Sequence, residues 1–400
     1  MKTIGYWLLS VLTAGWLWAM YGTLSEGHEV LNTTQHVPWG LWVAFYIFFL
    51  GLSAGAFLLS SLVYVFGVKR LEPAGPTALV QALGCLLLGG FLIVVDLGHP
   101  ERGYKVLTHW NPSSVMAWMG VFYIIYVSII VAELYLALRP SLIRRGRSSS
   151  LHRLLSLRST DLSPQSIARD HRWLKVLGII GIPIALGVHG GVGSIFAVAK
   201  ARPSWFSGLF PIIFIVSALA SGGALLTFLV AAFGEMRREA KLEVVRTLAL
   251  LSFAILIFDL LLVGSEVLVT KYGNVPHEVE AWNLTLFGPY WWLFWVVQIG
   301  IGLVVPLLIL ANRARRSSIA ALGLAGHAMV IGILGARLIL VIPAQIQPTF
   351  SALPEAYHHP RFAYGYLPSA VEWWLALGTI AVGTWIFLAA RKVLLVENTV

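Results

Sequence analysis

Residues 41–67 read LWVAFYIFFLGLSAGAFLLSSLVYVFG, an uninterrupted run without a charged residue. A helix needs about 20 mostly apolar residues to cross the hydrocarbon core of a bilayer, so this run is long enough to span a membrane. Comparable runs recur along the whole chain and predict an all-α integral membrane protein. We predict ten spans, at residues 4–22, 41–67, 77–96, 113–138, 174–195, 207–233, 247–269, 289–311, 318–342 and 369–390.

The composition agrees with this prediction. The chain has 400 residues, of which 58% are hydrophobic and 12% are charged, whereas soluble domains carry roughly 25% charged residues. The longest polar segment, 139–173, is too short for a soluble catalytic domain. Cys85 is the only cysteine, so thiolate-ligated iron–sulfur or structural zinc sites are excluded from this chain.

Basic residues predict the orientation of the spans, because loops on the cytoplasmic side are enriched in Lys and Arg. Of the 28 Lys and Arg residues, 21 fall on the side that carries both termini, six fall on the other side, and Arg337 lies within a span. We therefore expect both termini in the cytoplasm of a bacterium or archaeon, in the inner membrane. The net charge of +10 then indicates contact with anionic lipids, not with nucleic acid.

Two parts of the sequence are similar to each other. Trp39-Gly40 precedes the small-residue cluster 51–55, and Trp205 precedes a second small-residue cluster at 217–223. Small residues let membrane helices approach closely, although they are common in membrane helices in general. The pattern predicts two four-helix bundles, spans 2–5 and 6–9, flanked by one helix at each end. The predicted domains are 1–35, 36–200, 201–345 and 346–400.

Ionisable residues inside the membrane are costly and are therefore functional candidates. Asp96 ends the third span and is followed by His99, and His189 lies among glycines in the fifth span, at a similar depth. We expect those glycines to leave room for a planar ligand. A histidine can exchange a proton with a quinone oxygen, and a nearby carboxylate can take a second proton. The alternatives are an interhelical hydrogen bond for His189 and a boundary position for Asp96.

A second group of charges lies in the predicted second bundle. Asp259 and Glu266 are seven residues apart in the seventh span, which places them on one helix face. Arg337 in the ninth span is a candidate countercharge, so the group is either a structural ion pair or part of a proton path. Glu133, in the fourth span, is a further candidate for that path, or else only caps or snorkels at the membrane boundary. His189 and His327 lie at opposite depths, which disfavours a haem.

Several of these motifs resemble those of the NrfD/PsrC family, the membrane subunits of polysulfide reductase and related complexes. The similar elements are Trp39-Gly40-Leu41-Trp42 with the cluster 51–55, Asp96-Leu97-Gly98-His99-Pro100, and the stretch from His189 through Arg202-Pro203-Ser204-Trp205. The length resembles the ten-helix HybB-like members. The resemblance is strongest over residues 36–235.

The resemblance implies a subunit that binds menaquinone or ubiquinone and carries no metal or haem of its own. Its partner would be an extracytoplasmic iron–sulfur, ferredoxin-like protein, connected to a molybdopterin, hydrogenase or multihaem cytochrome subunit. His189 and Asp96 would be catalytic, and the quinone contacts would include His99, Tyr46, Trp39 and Arg202. Tyr46 departs from the family pattern, in which a shorter member carries a histidine.

Two other functions fit ten spans with buried charges. A secondary transporter would place charges at the membrane midplane on broken helices, and a structural anchor for an extracytoplasmic enzyme would need no Asp96 and His189 pair. The position of the charges near one membrane edge favours the quinone-linked subunit.

Overall fold

In this computed structural model, residues 2–147, 149–348, 352, 355 and 359–395 are described. Their regular structure is helical, and ten of their helices are long and apolar enough to cross a membrane, which confirms the prediction of an all-α, multi-pass membrane protein. The spans are α1 Lys2–Glu26, α2 Leu41–Tyr64, α3 Gly75–Asp96, α4 Val115–Gly146, α5 Pro164–Ala197, α6 Phe210–Phe233, α7 Arg238–Gly273, α8 Leu293–Ala311, α9 Ile319–Val341 and α10 Ala370–Val393.

Three spans extend well beyond the predicted apolar runs. Helices α4, α5 and α7 continue into polar sequence at the end of the bundle that carries most of the Lys and Arg residues. Hydropathy marks only the part of a helix that faces hydrocarbon, whereas backbone hydrogen bonding continues into the interface. We call this end of the bundle the basic side and the opposite end, where Trp39 precedes α2, the Trp39 side.

Shorter helices connect the spans. They are α-helical at Lys105–Thr108, Ser150–Leu155 and Pro276–Leu286, and 3₁₀-helical at Gly27–Val30, Lys69–Ala74, Pro100–Arg102, Pro203–Trp205, Arg315–Ser317 and Pro360–Phe362. The first part of α8, Leu293–Val304, forms wide π-helical turns, which are rare and often lie at functional sites.

The packing between neighbouring helices in spans 2–5 is repeated in spans 6–9. Helix α2 packs against α3 and α5, as α6 packs against α7 and α9, while α4 pairs with α5 and α8 pairs with α9. Helices α2 and α6 cross at Gly55 and Gly222, where a Cβ on Gly55 would lie 2.0 Å from the carbonyl oxygen of Ala218. We propose on this basis that spans 2–5 and 6–9 are two four-helix units.

The first and last spans lie beside these units as a pair. Helix α1 packs against α10, where Trp16 Nε1 donates to Thr379 Oγ1 at 3.2 Å. Helix α10 joins the pair to α3 and α2. Leu88 of α3 contacts the Gly383 position of α10, and Trp42 Nε1 of α2 donates to the carbonyl oxygen of Glu372 at 3.2 Å. Apart from its contacts with α10, most of α1 is exposed.

Candidate functional site

A cavity of about 120 Å³ lies in the half of the second unit nearest the Trp39 side. An engineered protein cavity of about 150 Å³ is known to hold benzene, so this volume is on the scale of one small aromatic ring. Helices α6, α7, α8 and α9 form its walls, and the segment Pro203–Trp205 and the short helix Pro276–Leu286 close it toward the Trp39 side. Its apolar lining consists largely of aromatic and branched side chains, among them Trp205, Phe210, Ile213, Phe214, Val263 and Leu340.

The cavity brings together the charged residues that the sequence placed on two separate spans. Asp259 and Glu266 reach it from α7, and Arg337 reaches it from α9. Asp259 and Arg337 are each 4% exposed, and Arg337 acts electrostatically on Asp259. Glu266 accepts a hydrogen bond of 2.6 Å from Ser207 Oγ. The cavity therefore holds one guanidinium and two carboxyl groups.

Two of these groups keep unused hydrogen-bonding capacity. Within the described residues, Nε of Arg337 and Oδ1 of Asp259 are buried and have no hydrogen-bond partner. The guanidinium of Arg337 lies 4.6 Å from the ring centroid of Phe214, so one of its faces is covered by an aromatic wall. Buried polar atoms are nearly always paired, which makes these two atoms candidates for contact with a bound molecule.

Gln298 is a polar residue of the cavity that the sequence did not single out. It lies in the π-helical turns of α8 and is 7% exposed. Its signal in the sequence is an amide side chain within an otherwise apolar run. Its neutral amide offers both a donor and an acceptor.

An aromatic cluster connects Trp39 to the cavity. The indole of Trp39 stacks on Trp205 with 5.3 Å between centroids, and Phe196 meets both rings edge-on. Trp205 is anchored by a hydrogen bond of 2.8 Å from Nε1 to the carbonyl oxygen of Leu340. Trp39, predicted as a quinone contact, therefore supports a cavity wall through Trp205.

Arg202 ties the loops above this cluster together. Its Nη2 donates to the carbonyl oxygen of His36 at 2.6 Å, and its Nη1 donates to that of Gln345 at 3.2 Å. Burial lowers the pKa of Arg202, and burial together with the Arg202 charge lowers the pKa of His36. The contacts of Arg202 thus join the loop before α2 to the segment after α9.

His189 lies in the first unit, beside the cavity group. It is 3% exposed, and its Nε2 has no partner among the described residues. Its charged neighbour is Arg337, and its ring lies 6.3 Å from that of Tyr126. The imidazole therefore stands between the second unit and the interior of the first.

The glycines around His189 do not leave the room that was expected for a ligand. A Cβ on Gly191 would lie 2.3 Å from Sδ of Met119, and one on Gly193 would lie 2.6 Å from the carbonyl oxygen of Phe210. These positions are occupied by neighbouring helices. The expectation is corrected: the glycines permit close packing of α5 against α4 and α6.

The remaining predicted site residues have other surroundings. Asp96 is half-buried at the end of α3, where its charged neighbour is Glu372 of α10. His99 is exposed and lies 2.9 Å from Glu101, and Tyr46 packs within the core of the first unit. Asp96, His99 and Tyr46 are not among the residues that line the cavity.

Glu133 lies deep in the first unit, on α4. It is 1% exposed, and its Oε1 has no partner in the described part of the chain. Gly178 of α5 faces it, at 3.5 Å from the position of an added Cβ. A boundary role as a cap or a snorkelling group does not fit this burial.

Across residues 2–147, 149–348, 352, 355 and 359–395, no three His, Cys, Asp or Glu side chains are grouped as metal ligands.

Comparison with known proteins identifies the family. A sequence model described as "Polysulphide reductase, NrfD" matches residues 29–349, most of the chain. A selenate reductase subunit of Mesobacillus selenatarsenatis is 40% identical, over all of this chain and 95% of the relative.

More distant relatives carry names that mention a quinone. The Hdr-like menaquinol oxidoreductase integral membrane subunit of Archaeoglobus fulgidus is 26% identical, over 96% of this chain and 92% of the relative. The menaquinone reductase integral membrane subunit of Nitratidesulfovibrio vulgaris is 24% identical, over 92% of this chain and 85% of the relative. With ten membrane spans and a match over most of its length, the chain belongs to the NrfD polysulphide reductase family.

Proposed function

We propose that this chain is the quinone-binding membrane subunit of an oxidoreductase complex, and that the quinone ring binds in the cavity of the second unit. The observation that carries the proposal is the unpartnered Nε of Arg337 in a ring-sized cavity with aromatic walls. The names of two relatives, a menaquinol oxidoreductase subunit and a menaquinone reductase subunit, support the same chemistry.

The lining residues fit a quinone ring. Such a ring carries two carbonyl oxygens, and a buried carbonyl needs a donor. Arg337 and Gln298 supply N–H groups, while Phe214 and Trp205 supply flat apolar surface. Reduction of the quinone to the quinol adds two electrons and two protons to the ring, and oxidation removes them. Asp259, whose Oδ1 has no partner in the described structure, is placed to hold a proton beside it.

Electrons must reach or leave the quinone through another protein. The cavity is closed toward the Trp39 side by only a 3₁₀ turn and the short helix Pro276–Leu286. We propose that an iron–sulfur partner subunit docks on that side, and that a reductase or oxidase subunit follows it. The name of the selenate reductase relative favours a complex that reduces an oxyanion. From the charge asymmetry we propose that the Trp39 side faces the outside of the cytoplasmic membrane and that both termini lie in the cytoplasm.

The test uses the assembled complex in membranes, with menadiol as electron donor and a fluorescent hydroxyquinoline inhibitor as a probe of the quinone site. Losing a hydrogen bond to a charged group costs about 1.5–3 kcal/mol, so we expect Arg337→Gln to weaken inhibitor binding about tenfold or more. Asp259→Asn should slow menadiol turnover with less effect on inhibitor binding.

The matched control is Glu239→Gln, an exposed position at the far end of the same helix as Asp259. It should behave as the wild type. Wild-type inhibitor affinity in Arg337→Gln would overturn the assignment to this cavity. His189→Ala and Asp96→Asn test the site predicted from sequence: loss of inhibitor binding in these two variants alone would place the quinone in the first unit.

A further inference from the structure

The first unit contains a row of buried polar side chains that begins beside the cavity. Arg337, which lines the cavity, is the charged neighbour of His189. The imidazole of His189 meets the ring of Tyr126 edge-on. Tyr126 is fully buried, and Ser53 of α2 lies beside its hydroxyl, which makes no hydrogen bond of ordinary geometry among the described residues. The row therefore begins where Arg337 of the second unit lies near His189 of the first unit.

The row continues along α4 toward the basic side. Glu133 follows Tyr126 by seven residues, which is two helical turns on the same face and about 10 Å along the axis. It acts electrostatically on Tyr126 and, in the other direction, on Tyr64 at the end of α2. Tyr64 is also within the electrostatic range of Glu72, which is exposed in the 3₁₀ segment Lys69–Ala74. The row thus runs from the cavity to the surface of the basic side.

Structural needs alone do not account for Glu133. An unpaired buried carboxylate costs several kcal/mol if it is charged, and a buried polar group without a partner is unfavourable even when it is neutral. In the described structure Glu133 belongs to none of the ion pairs, and its Oε1 accepts no hydrogen bond. By contrast, the buried Arg139 on the same helix is paired with Asp170 at 2.6 Å. By these costs alone, the protein would be more stable with an apolar residue at position 133.

Unpaired polar atoms at intervals through a membrane protein are what proton transfer requires. Each of the four side chains can both give up and accept a proton or a hydrogen bond, and water molecules can bridge gaps between such groups. The apolar surroundings, such as Phe57 against Tyr126, prevent the row from opening into a water-filled leak.

We propose that His189, Tyr126, Glu133 and Tyr64 form a proton-transfer path through the first unit, between the cavity and Glu72 on the basic side. The path rests on the proposed function only for its terminal group, the quinone. One proton leaves Glu72 or enters it for each proton that is exchanged at the cavity. Only bonds to the transferred protons form and break along the path, and the electrons do not follow it.

The test reconstitutes the complex in liposomes with an entrapped pH-sensitive dye and menadiol as donor. Positioned proton-transfer groups contribute about 10²–10⁴-fold to rates, so Glu133→Gln and Tyr126→Phe should each lower proton exchange on the basic side at least about tenfold. Inhibitor affinity at the cavity should not change. Glu133→Asp should recover part of the exchange. Ser128→Ala, an exposed position on α4 whose hydroxyl bonds its own helix backbone, is the matched control and should match the wild type.

A second measurement needs no quinone. The infrared difference spectrum between acid and alkaline pH should contain a protonated-carboxyl band that Glu133→Gln removes and Ser128→Ala retains. Wild-type proton exchange in a folded Glu133→Gln variant would overturn the path, as would an unchanged carboxyl band. Absence of menadiol turnover in the wild-type complex would instead overturn the proposed function, and the infrared result would still decide whether Glu133 titrates.

Discussion

At the scale of single residues, Glu372 shows how this protein satisfies a buried carboxylate that has a structural role. It is 1% exposed and accepts hydrogen bonds from the Tyr366 hydroxyl, from the backbone N–H of Asn32 at 3.1 Å and from that of Ser369 at 2.9 Å. Glu372 also completes a capping box at the start of α10. The contrast with Glu133, whose Oε1 lacks any described partner, separates a structural carboxylate from one that we assign to proton transfer.

We expect Tyr366→Phe to destabilise the protein by about 1–3 kcal/mol, because it removes the donor to buried Glu372 and leaves a buried acceptor unsatisfied. The hydroxyl also accepts from the N–H of Leu41 at 2.7 Å, at the start of α2. Thermal unfolding in detergent is the measurement. Tyr104→Phe, at a tyrosine that is 60% exposed, should leave the midpoint unchanged, and equal midpoints for both variants would contradict the assignment.

The buried Tyr366 hydroxyl should also make the stability of the folded protein depend on pH. Burial, followed by the nearby Glu372 charge, raises the pKa of Tyr366 in the folded protein. A raised folded-state pKa gives stability that is present below the unfolded value of about 10 and is lost as the pH rises above it. Unfolding midpoints measured from neutral to strongly alkaline pH should therefore fall more steeply for the wild type than for Tyr366→Phe. Parallel curves would show that the hydroxyl does not contribute in this way.

At the scale of helices, the crossing of α2 and α6 fixes how the two units meet. At the crossing, a Cβ on Gly222 would lie 2.4 Å from the backbone N of Ala56, so the two backbones are in direct contact. Gln81 of α3 bridges them, since its Nε2 donates to the carbonyl oxygens of Leu52 at 3.2 Å and Gly222 at 2.9 Å. The close approach brings α9 beside α2 and α5 beside α6, and so places Arg337 near His189.

Gly55→Ala tests the crossing. The added methyl group would overlap backbone atoms, which cannot move as a side-chain tip can, and overpacking of this kind typically costs about 1–3 kcal/mol. We expect a lower thermal midpoint and weaker inhibitor binding, because the units would separate. The matched control is Gly84→Ala in α3, where a Cβ meets no atom within 4 Å. A midpoint for Gly55→Ala at or above that of the control would contradict the close crossing.

At the scale of the whole molecule, most Lys and Arg residues lie at one end of the bundle, and the proposed quinone site lies near the other end. The basic side holds exposed ion pairs such as Arg70 with Glu243, whereas the Trp39 side holds the aromatic cluster and the lid of the cavity. In the proposed arrangement the second unit binds the quinone, and the first unit carries protons to the opposite face. Electrons and protons would then leave the cavity in different directions.

Cysteine labelling tests the orientation. Replacing Cys85, which is buried, gives a background for single cysteines at His109 on the Trp39 side and Thr160 on the basic side, both exposed positions. In intact spheroplasts a membrane-impermeant maleimide should label His109→Cys and leave Thr160→Cys unlabelled until the cells are lysed. The reverse pattern would place the termini outside the cell and invert the proposed docking side.

The sequence by itself determined the number of spans and their approximate positions, because hydropathy is a local property of each stretch of chain. It also identified Asp259, Glu266 and Arg337 as a group, since helical spacing and the cost of buried charge are local arguments. Only the tertiary structure decided that these residues share a cavity with Gln298, and that His189 stands beside Arg337 while Asp96 stands beside Glu372. The reason is physical: the rotation and neighbours of each helix are set by backbone contacts such as Gly55 against Gly222, and an apolar run contains no record of which helix will lie beside it.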